Sequence, residues 1–281
     1  MRIGLRPEDL HEFRARAHDY RLAPRQRLYG IGMGKTGTNA LATVFHGIPC
    51  AHEADADRII EAVLGYGRKE VSWQSLVSIA ADRDRHMSLA VDVSNLNIFL
   101  VDLLVWLDPC AKFVLTVRDP KSWLDSILNH YLSRPPTDLW RALAAFRFGG
   151  SDAARPPEES ALADLGLHSV QGYLSYWRSH NQHALDSVPA DRLMVVRLDQ
   201  VAQEAERIAD FSGIGPDRIR RDLIHQYSNP DKRPVLDLID ATYLESQIRL
   251  HCEPVMAQLA SRMTGDDAAA AGNPAQRPNQ D

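Results

Sequence analysis

The sequence predicts an α/β fold in which a central parallel sheet is flanked by helices, giving three layers. Short apolar runs alternate with helical patterns, and the stretches 88–93, 97–107 and 111–117 have the order strand, helix, strand. The run over 111–117 is apolar nearly throughout, which is typical of strands buried on both faces of a parallel sheet. A chain of 281 residues has room for such a domain. We expect one domain over 1–264 and a disordered tail over 265–281, where no apolar face is present.

Charge, cysteine content and hydropathy limit the classes of function. A net charge of −5 gives no general attraction to nucleic acid. The cysteines Cys50, Cys110 and Cys252 have no paired spacing, which argues against a disulfide framework or a zinc site and favours a reducing cytoplasm. The most apolar stretch, 98–107, is too short to span a bilayer and contains Asp102. We therefore expect a cytoplasmic protein without a membrane span or a zinc site.

The first predicted strand leads into a glycine-rich loop. Residues 28–41 read Leu-Tyr-Gly-Ile-Gly-Met-Gly-Lys-Thr-Gly-Thr-Asn-Ala-Leu, and a helical pattern follows. Glycines let the backbone turn sharply and aim several N–H groups at one point, and the helix start adds a positive dipole end. Lys35 adds a charge, while the side chains of Thr36, Thr38 and Asn39 offer further hydrogen bonds. The stretch predicts a phosphate cradle in a P-loop-like fold.

Two other interpretations of this loop remain open. The P-loop of nucleoside-triphosphate enzymes requires a glycine where this chain has Tyr29, so the loop is not a complete Walker A motif. A strand-to-helix turn without any ligand has a similar composition.

A second motif follows the strand predicted over 111–117. It reads Arg-Asp-Pro-Lys-Ser-Trp-Leu-Asp-Ser from Arg118 to Ser126, and Pro120 suits the first turn of a helix. An arginine offers bidentate geometry to a phosphate, and a serine two turns into the helix can bind a remaining oxygen. The alternative is a structural ion pair between Arg118 and Asp119.

The segments between the two motifs contain a buried acid. The helix after the glycine-rich loop is predicted to end near Gly47. Residues 50–52 are interpreted as a short connection, and further helices are predicted over 55–64 and 71–81. Asp92 interrupts the apolar strand at 88–93, and an acid on a buried strand requires a partner or a function. It is expected beyond the carboxyl ends of the strands, beside the cradle and Arg118.

Together, the two motifs resemble those of sulfotransferases that use 3′-phosphoadenosine 5′-phosphosulfate (PAPS), and especially their bacterial branch. The resemblance covers about residues 27–234. The loop matches the family motif except at its last position, in the order Lys35, Thr36, Gly37, Thr38, Asn39. Arg118 and Ser126 have the family's spacing for the 3′-phosphate.

The resemblance implies a function and a set of site residues. The protein would transfer a sulfuryl group from PAPS to a hydroxyl or amine of a small molecule, without a metal. Lys35 would stabilise the leaving oxygen, and Asp92 would be the base, with His52 and His130 in reserve. The implied cofactor-binding residues are Lys35, Thr36, Gly37, Thr38, Asn39, Ala40, Arg118, Ser126, Tyr227, Lys232 and Arg233. The last three are carried over more loosely, since the chain departs from the family's Arg-Lys-Gly pattern there, and a solvated basic loop is the alternative.

Other questions stay open at this point. The proline-rich stretch 132–168 is either an acceptor-binding lid or a contact in a homodimer. A P-loop kinase or NTPase, with Thr36 and Asp92 near magnesium, and a non-catalytic nucleotide-binding module are the alternative functions.

Overall fold

A parallel sheet of five strands organises the protein. In this computed structural model, the described residues are 3–23, 25–45, 47–220 and 232–271. The strands are β1 (Leu28–Gly30), β2 (Cys50–His52), β3 (Val91–Val93), β4 (Lys112–Val117) and β5 (Leu193–Arg197). Their order across the sheet is β2-β3-β1-β4-β5, and every pairing is parallel. The predicted α/β fold class is confirmed.

Helices connect the strands and cover both faces of the sheet. The described helices are α1 (Pro7–Arg16), α2 (Thr38–Val44), α3 (Ala56–Gly67), α4 (Trp73–Met87), α5 (Asn97–Leu107), α6 (Pro120–Ser133), α7 (Asp138–Phe148), α8 (Ser160–Asp164), α9 (Val170–Ser187), α10 (Ala205–Ser212) and α11 (Ala241–Ala271). Helix α5 has the predicted bounds. Helix α6 begins at Pro120 as predicted, because proline fits the first helical position and the Asp119 side chain caps the N–H of Ser122 at 3.0 Å.

Side chains that alternate along the strands form two apolar layers. Val91, Val93 and Val114 are fully buried in the layer that includes residues of α2 and α10. On the opposite face, the rings of Tyr29 and Phe113 stack at 5.4 Å in the layer that includes α4, α5 and α9. This alternation explains why the strands read as apolar runs, since both faces are covered.

The strand order places the cradle at the centre of the sheet edge. Strand β1 lies between β3 and β4. The chain passes from β1 to β2 on one side of β1, and later crosses from β3 to β4 on its other side. Ligands of open parallel sheets bind at this point, beyond the carboxyl ends of the strands. The loop after β1 and Arg118 after β4 are therefore neighbours.

Two elements differ from the sequence-based expectation. Residues Cys50–His52 form the edge strand β2 rather than a simple connection, and Ala51 pairs with Asp92. A strand of three residues is too short to show a periodicity in the sequence. Helix α11 continues past the predicted boundary at 264 to Ala271, and 272–281 lie outside the described residues, so the disordered tail stays a prediction.

The stretch 132–168 is largely helical. It contains α7 and α8, joined by 3₁₀ turns, and α7 packs against α3 and α9. Phe148 at the end of α7 lies with its ring 4.5 Å from that of Tyr173. The choice between a lid and a dimer contact stays open. Along the described parts of the chain, no helix combines the length and apolar character needed to cross a membrane.

Candidate active site

The cradle has a backbone that requires glycine at two positions. Gly37 has φ +98°, and a Cβ there would lie 2.6 Å from Leu198 Cδ1. A Cβ on Gly32 would lie 2.0 Å from Thr116 Oγ1, so the loop packs directly on β4. Lys35 also lies in the left-handed region, at φ 72°, although it carries a side chain. Such a conformation in a non-glycine residue is uncommon and is often found at ligand-binding sites.

Free amide groups converge where the loop enters α2. Helix α2 begins with the bond from Leu41 N to Gly37 O at 2.9 Å. Within the described part of the chain, the N–H groups of residues 37–40 have no backbone acceptor outside the helix. The first amides of a helix cannot bond within it, and they are suited to an anion.

The two threonines of the cradle have protein partners. Thr36 is fully buried, and its hydroxyl donates to Met33 O at 2.7 Å and lies 2.9 Å from Thr116 Oγ1. This corrects the expectation that the Thr36 side chain can donate to an anion, because its hydroxyl proton is used within the loop, at Met33 O. The Thr36 oxygen can still accept from Thr116 of β4. Thr38 Oγ1 lies 3.1 Å from His52 Nε2, at the end of β2.

The two predicted anion motifs are in direct contact. Arg118 Nη1 donates to Lys35 O at 3.4 Å, and its Nε donates to Ser122 Oγ at 3.2 Å. The indole of Trp123 donates to Gly34 O at 2.9 Å. Strand β4 and the start of α6 therefore hold the loop after β1, so that both motifs face one region.

Arg118 does not depend on Asp119 for its position. The Asp119 carboxylate caps α6, and no ion pair between these two residues is found among the described residues. Ser126 lies two turns into α6 and is half-buried. Among the described residues, its hydroxyl has no hydrogen-bond partner. It is four residues from Ser122 and thus on the same helical face.

The basic segment at 232–233 is docked on α6. Lys232 Nζ lies 2.7 Å from Asp125 Oδ2. The Asn129 side chain accepts from Arg233 N at 2.7 Å and donates to Arg233 O at 3.1 Å. Both basic side chains are exposed beside the predicted phosphate serine. Tyr227, the third residue carried over from this segment, lies outside the described residues.

Lys35 lies in a strongly positive environment. Burial lowers the pKa of its ammonium group, and the charges of Arg134, Arg118 and Lys232 lower this pKa further. A bound anion would favour the charged form again. Arg134 was not identified from the sequence, because it follows the last residue of α6 and belongs to neither motif.

Asp92 is held in a buried ion pair. Its carboxylate, 6% exposed at residue level, accepts from Arg83 Nη2 of α4, and the amide of Asn97 donates to its backbone carbonyl at 3.1 Å. Burial raises the pKa of the Asp92 carboxyl, and Arg83 opposes this effect. Since Asp92 pairs with Tyr29 in the middle of the sheet, its side chain lies on the α4 and α5 face. Asp92 thus has the partner that a buried acid requires, and its expected role as the base stays a prediction.

Of the two histidines held in reserve, His52 contacts the cradle. His130 is half-buried on α6, four residues beyond Ser126. Burial lowers the pKa of His130, and the charges of Lys35 and Arg134 act in the same direction. His52 is exposed and bonded to Thr38.

The residues that the kinase alternative assigns to magnesium have other partners. The Thr36 hydroxyl donates to the backbone, and the Asp92 carboxylate pairs with Arg83. Over the described ranges, no group of three or more His, Cys, Asp or Glu is arranged to hold a metal ion.

Comparisons with known proteins identify the family. Residues 27–211 match the sequence model of a family described as "Sulfotransferase domain". No curated protein matches. Similar solved structures include a sulfotransferase from Alicyclobacillus acidocaldarius, 16% identical, with a TM-score of 0.47 over 86% of this chain and 97% of that one. Another is the sulfotransferase domain of the olefin synthase from Synechococcus PCC 7002, 14% identical, with a TM-score of 0.37 over 79% of this chain and 83% of that one. The family match spans more than half of the chain and contains both anion motifs, so the chain belongs to the sulfotransferase family.

Proposed function

We propose that this protein transfers the sulfuryl group of PAPS to a hydroxyl or amine of a small-molecule acceptor by in-line displacement. The observation that carries the proposal is the direct contact between the two anion motifs, through Arg118 to Lys35 O and Trp123 to Gly34 O. PAPS carries anionic groups at its 5′ and 3′ positions, and two joined sites with free donors match such a molecule.

Each end of the donor is assigned its own residues. The amides of residues 37–40 and the Lys35 ammonium would bind the 5′-phosphosulfate. Arg118 and Ser126 would bind the 3′-phosphate, with Lys232 and Arg233 supplying further positive charge. The Thr36 side chain is assigned to the loop rather than to the donor, because its hydroxyl proton is already used.

The transfer breaks one bond to sulfur and forms another. The acceptor oxygen attacks sulfur, the bond from sulfur to the bridging phosphate oxygen breaks, and the acceptor proton passes to a base. Negative charge grows on the bridging oxygen, and Lys35 is the cation assigned to it. The protein concentrates positive charge at Lys35 before the donor binds, which favours the charged product adenosine 3′,5′-bisphosphate.

We assign the base to His130 in preference to Asp92. The Asp92 carboxylate is engaged by Arg83, and removal of its charge would leave that arginine buried and unpaired. His130 lies on the α6 face that carries Ser122 and Ser126, within the field of Lys35. Its lowered pKa keeps the imidazole neutral at pH 7, and only the neutral form accepts a proton.

Calorimetry with adenosine 3′,5′-bisphosphate, AMP and Mg·ATP tests the donor assignment. We expect the bisphosphate to bind without metal, and more tightly than AMP. Arg118→Ala should lower bisphosphate affinity by tenfold or more while AMP affinity changes little, because Arg118 is assigned to the 3′-phosphate. Lys121→Ala is the matched control, since Lys121 is an exposed cation three residues further on, in the first turn of α6.

Two results would overturn the proposal. One is Mg·ATP turnover in the absence of bisphosphate binding, which would indicate a kinase or NTPase. The other is bisphosphate binding without transfer from labelled PAPS to any member of a broad panel of phenols, alcohols and amines, which would indicate a non-catalytic binding module.

A further inference from the structure

Arg147 of α7 is a buried cation with unused hydrogen-bond donors. It is 9% exposed, and its Nη2 donates to Asn95 Oδ1. Its Nε is buried without a partner, and no carboxylate forms an ion pair with it within the described ranges. A guanidinium has five N–H donors, and a buried charge without an anion is unfavourable.

Two aromatic rings flank the guanidinium, but they do not provide acceptors for its hydrogen-bond donors. Its Cζ lies 5.4 Å from the ring centroid of Phe99 and 5.4 Å from that of Tyr176. The faces of these rings attract a cation, yet they accept no ordinary hydrogen bond from the remaining N–H groups. The group is therefore held in place with part of its binding capacity free.

One chain of contacts connects Arg147 to the cradle through β2 and β3. Asn95 follows the carboxyl end of β3, and its amide nitrogen donates to Glu53 Oε1 just beyond β2. Glu53 directly follows His52 in the chain, and His52 Nε2 lies 3.1 Å from Thr38 Oγ1 in the cradle.

A second chain of contacts passes through α9 to β1. The Tyr176 hydroxyl lies 3.2 Å from His180 Nδ1, and His180 Nε2 lies 2.8 Å from Ile31 O. Ile31 is the first residue after β1. Arg147 thus lies toward the carboxyl edge of the sheet, connected to the cradle and to the residue after β1 by these two chains of contacts.

We propose that Arg147 binds a carboxylate of the acceptor, so that the acceptor is a hydroxylated carboxylic acid. This inference rests on the proposed function. The carboxylate would pair with the unused donors of the guanidinium, and the hydroxyl would point toward Lys35. The fork of an arginine matches a carboxylate better than any neutral group.

Matched acids and esters test the inference. The probes are 4-hydroxybenzoate, 4-hydroxyphenylacetate and 3-(4-hydroxyphenyl)propionate, each with its methyl ester. Binding is measured by calorimetry on protein saturated with adenosine 3′,5′-bisphosphate, and transfer is measured with labelled PAPS. We expect the wild type to bind at least one acid tenfold or more tightly than its ester, and to show the same preference in kcat/KM.

Two substitutions on α7 distinguish a specific role of Arg147 from a general effect of positive charge on this helix. Arg147→Met keeps much of the side-chain volume and should remove the preference for the acid. Arg141→Met is the control, since Arg141 is 64% exposed in its side chain and pairs with Asp138 at 2.6 Å, and it should keep the preference. If Arg147→Met fails to fold, Arg147→Lys replaces it, and a loss of at least threefold in preference is expected because the fork is lost.

The outcomes distinguish this inference from the proposed function. Absence of bisphosphate binding by the wild type would contradict the donor assignment itself. Normal bisphosphate binding with no acid preferred over its ester would overturn only the role of Arg147. A preference that survives unchanged in Arg147→Met, or in Arg147→Lys where that variant is used, would do the same.

Discussion

Lys35 combines a left-handed backbone with an ammonium group surrounded by cations. Neither feature stabilises the free protein, because the conformation is unfavourable for a side chain and the neighbouring charges repel. Both are explained if the site is built for an anion that is absent from the free protein. This is the pattern expected of a group that acts mainly when charge develops in a reaction.

Lys35→Ala should lower kcat by about two to three orders of magnitude, because a cation aimed at developing charge contributes on that order. Bisphosphate affinity should fall less than kcat. Lys69→Ala is the matched control, since Lys69 is an exposed lysine that is also left-handed, at φ 65°. A kcat within a factor of three of wild type in Lys35→Ala would contradict the role assigned to this residue.

Substitutions of His130 and of Asp92 are predicted to have different effects. His130→Gln should lower kcat by 10²-fold or more, with the largest loss for acceptors of high hydroxyl pKa, and should leave the melting temperature nearly unchanged. Asp92→Asn should lower the melting temperature, because Arg83 loses its buried partner, while the folded fraction keeps its kcat.

The pH profile gives an independent readout of His130. Since the pKa of His130 is lowered, its neutral form persists at pH 7, and kcat/KM for the acceptor should fall only at a pH below about 6.5. This acidic limb should disappear in His130→Gln. If Asp92→Asn abolished turnover in folded protein instead, Asp92 would be the better assignment.

Among the elements, α6 carries more of the site than any other described helix. Arg118 precedes it, and Ser122, Ser126 and His130 follow at intervals of four residues, which places them along one face. Its neighbouring face holds the basic segment at 232–233 through Asp125 and Asn129. One helix thus fixes the residues that we assign to the 3′-phosphate and the proposed base relative to each other.

Asn129→Ala should lower bisphosphate affinity, because both bonds that hold the Arg233 backbone on α6 are lost. We expect a reduction of about threefold to tenfold, with AMP affinity less affected, measured by calorimetry. Ser133→Ala at the exposed end of the same helix is the control. Equal losses for bisphosphate and AMP would mean that the segment at 232–233 does not contact the 3′-phosphate.

For the whole molecule, His180 links α9 to the central strand. It is fully buried, and its Nε2 donates to Ile31 O, because a carbonyl can only accept. Its Nδ1 is then free to accept from the Tyr176 hydroxyl. Burial lowers the pKa of His180 from 6.5 to about 3, so the folded protein keeps this imidazole neutral in mild acid.

The unfolding free energy should therefore decrease as the pH falls from about 6 to about 4. In this range the unfolded chain binds a proton at His180 and the folded protein does not, so stability is lost by up to about 1.4 kcal/mol per pH unit from this group. Urea unfolding at several pH values measures the slope. The slope should be smaller in His180→Gln, while His86→Gln, an exposed histidine, should keep it. An unchanged slope in His180→Gln would contradict the lowered pKa.

The sequence by itself determined the features that depend on local backbone chemistry. The turn after β1 follows from its glycines, the start of α6 follows from Pro120, and the parallel sheet follows from apolar runs separated by helices. These signals lie within a few residues of the structure that they specify. The family could therefore be identified from the two predicted anion motifs, which both lie within the matched residues 27–211.

Only the tertiary structure decided which polar side chains are free. The pairing of Asp92 with Arg83 and the contact of Arg147 with Asn95 join elements whose faces are set by packing. Likewise, the Thr36 hydroxyl is taken up by the loop and by β4. A side chain's partner across the sheet edge depends on how whole helices sit on the strands, and no short-range pattern of residues encodes it.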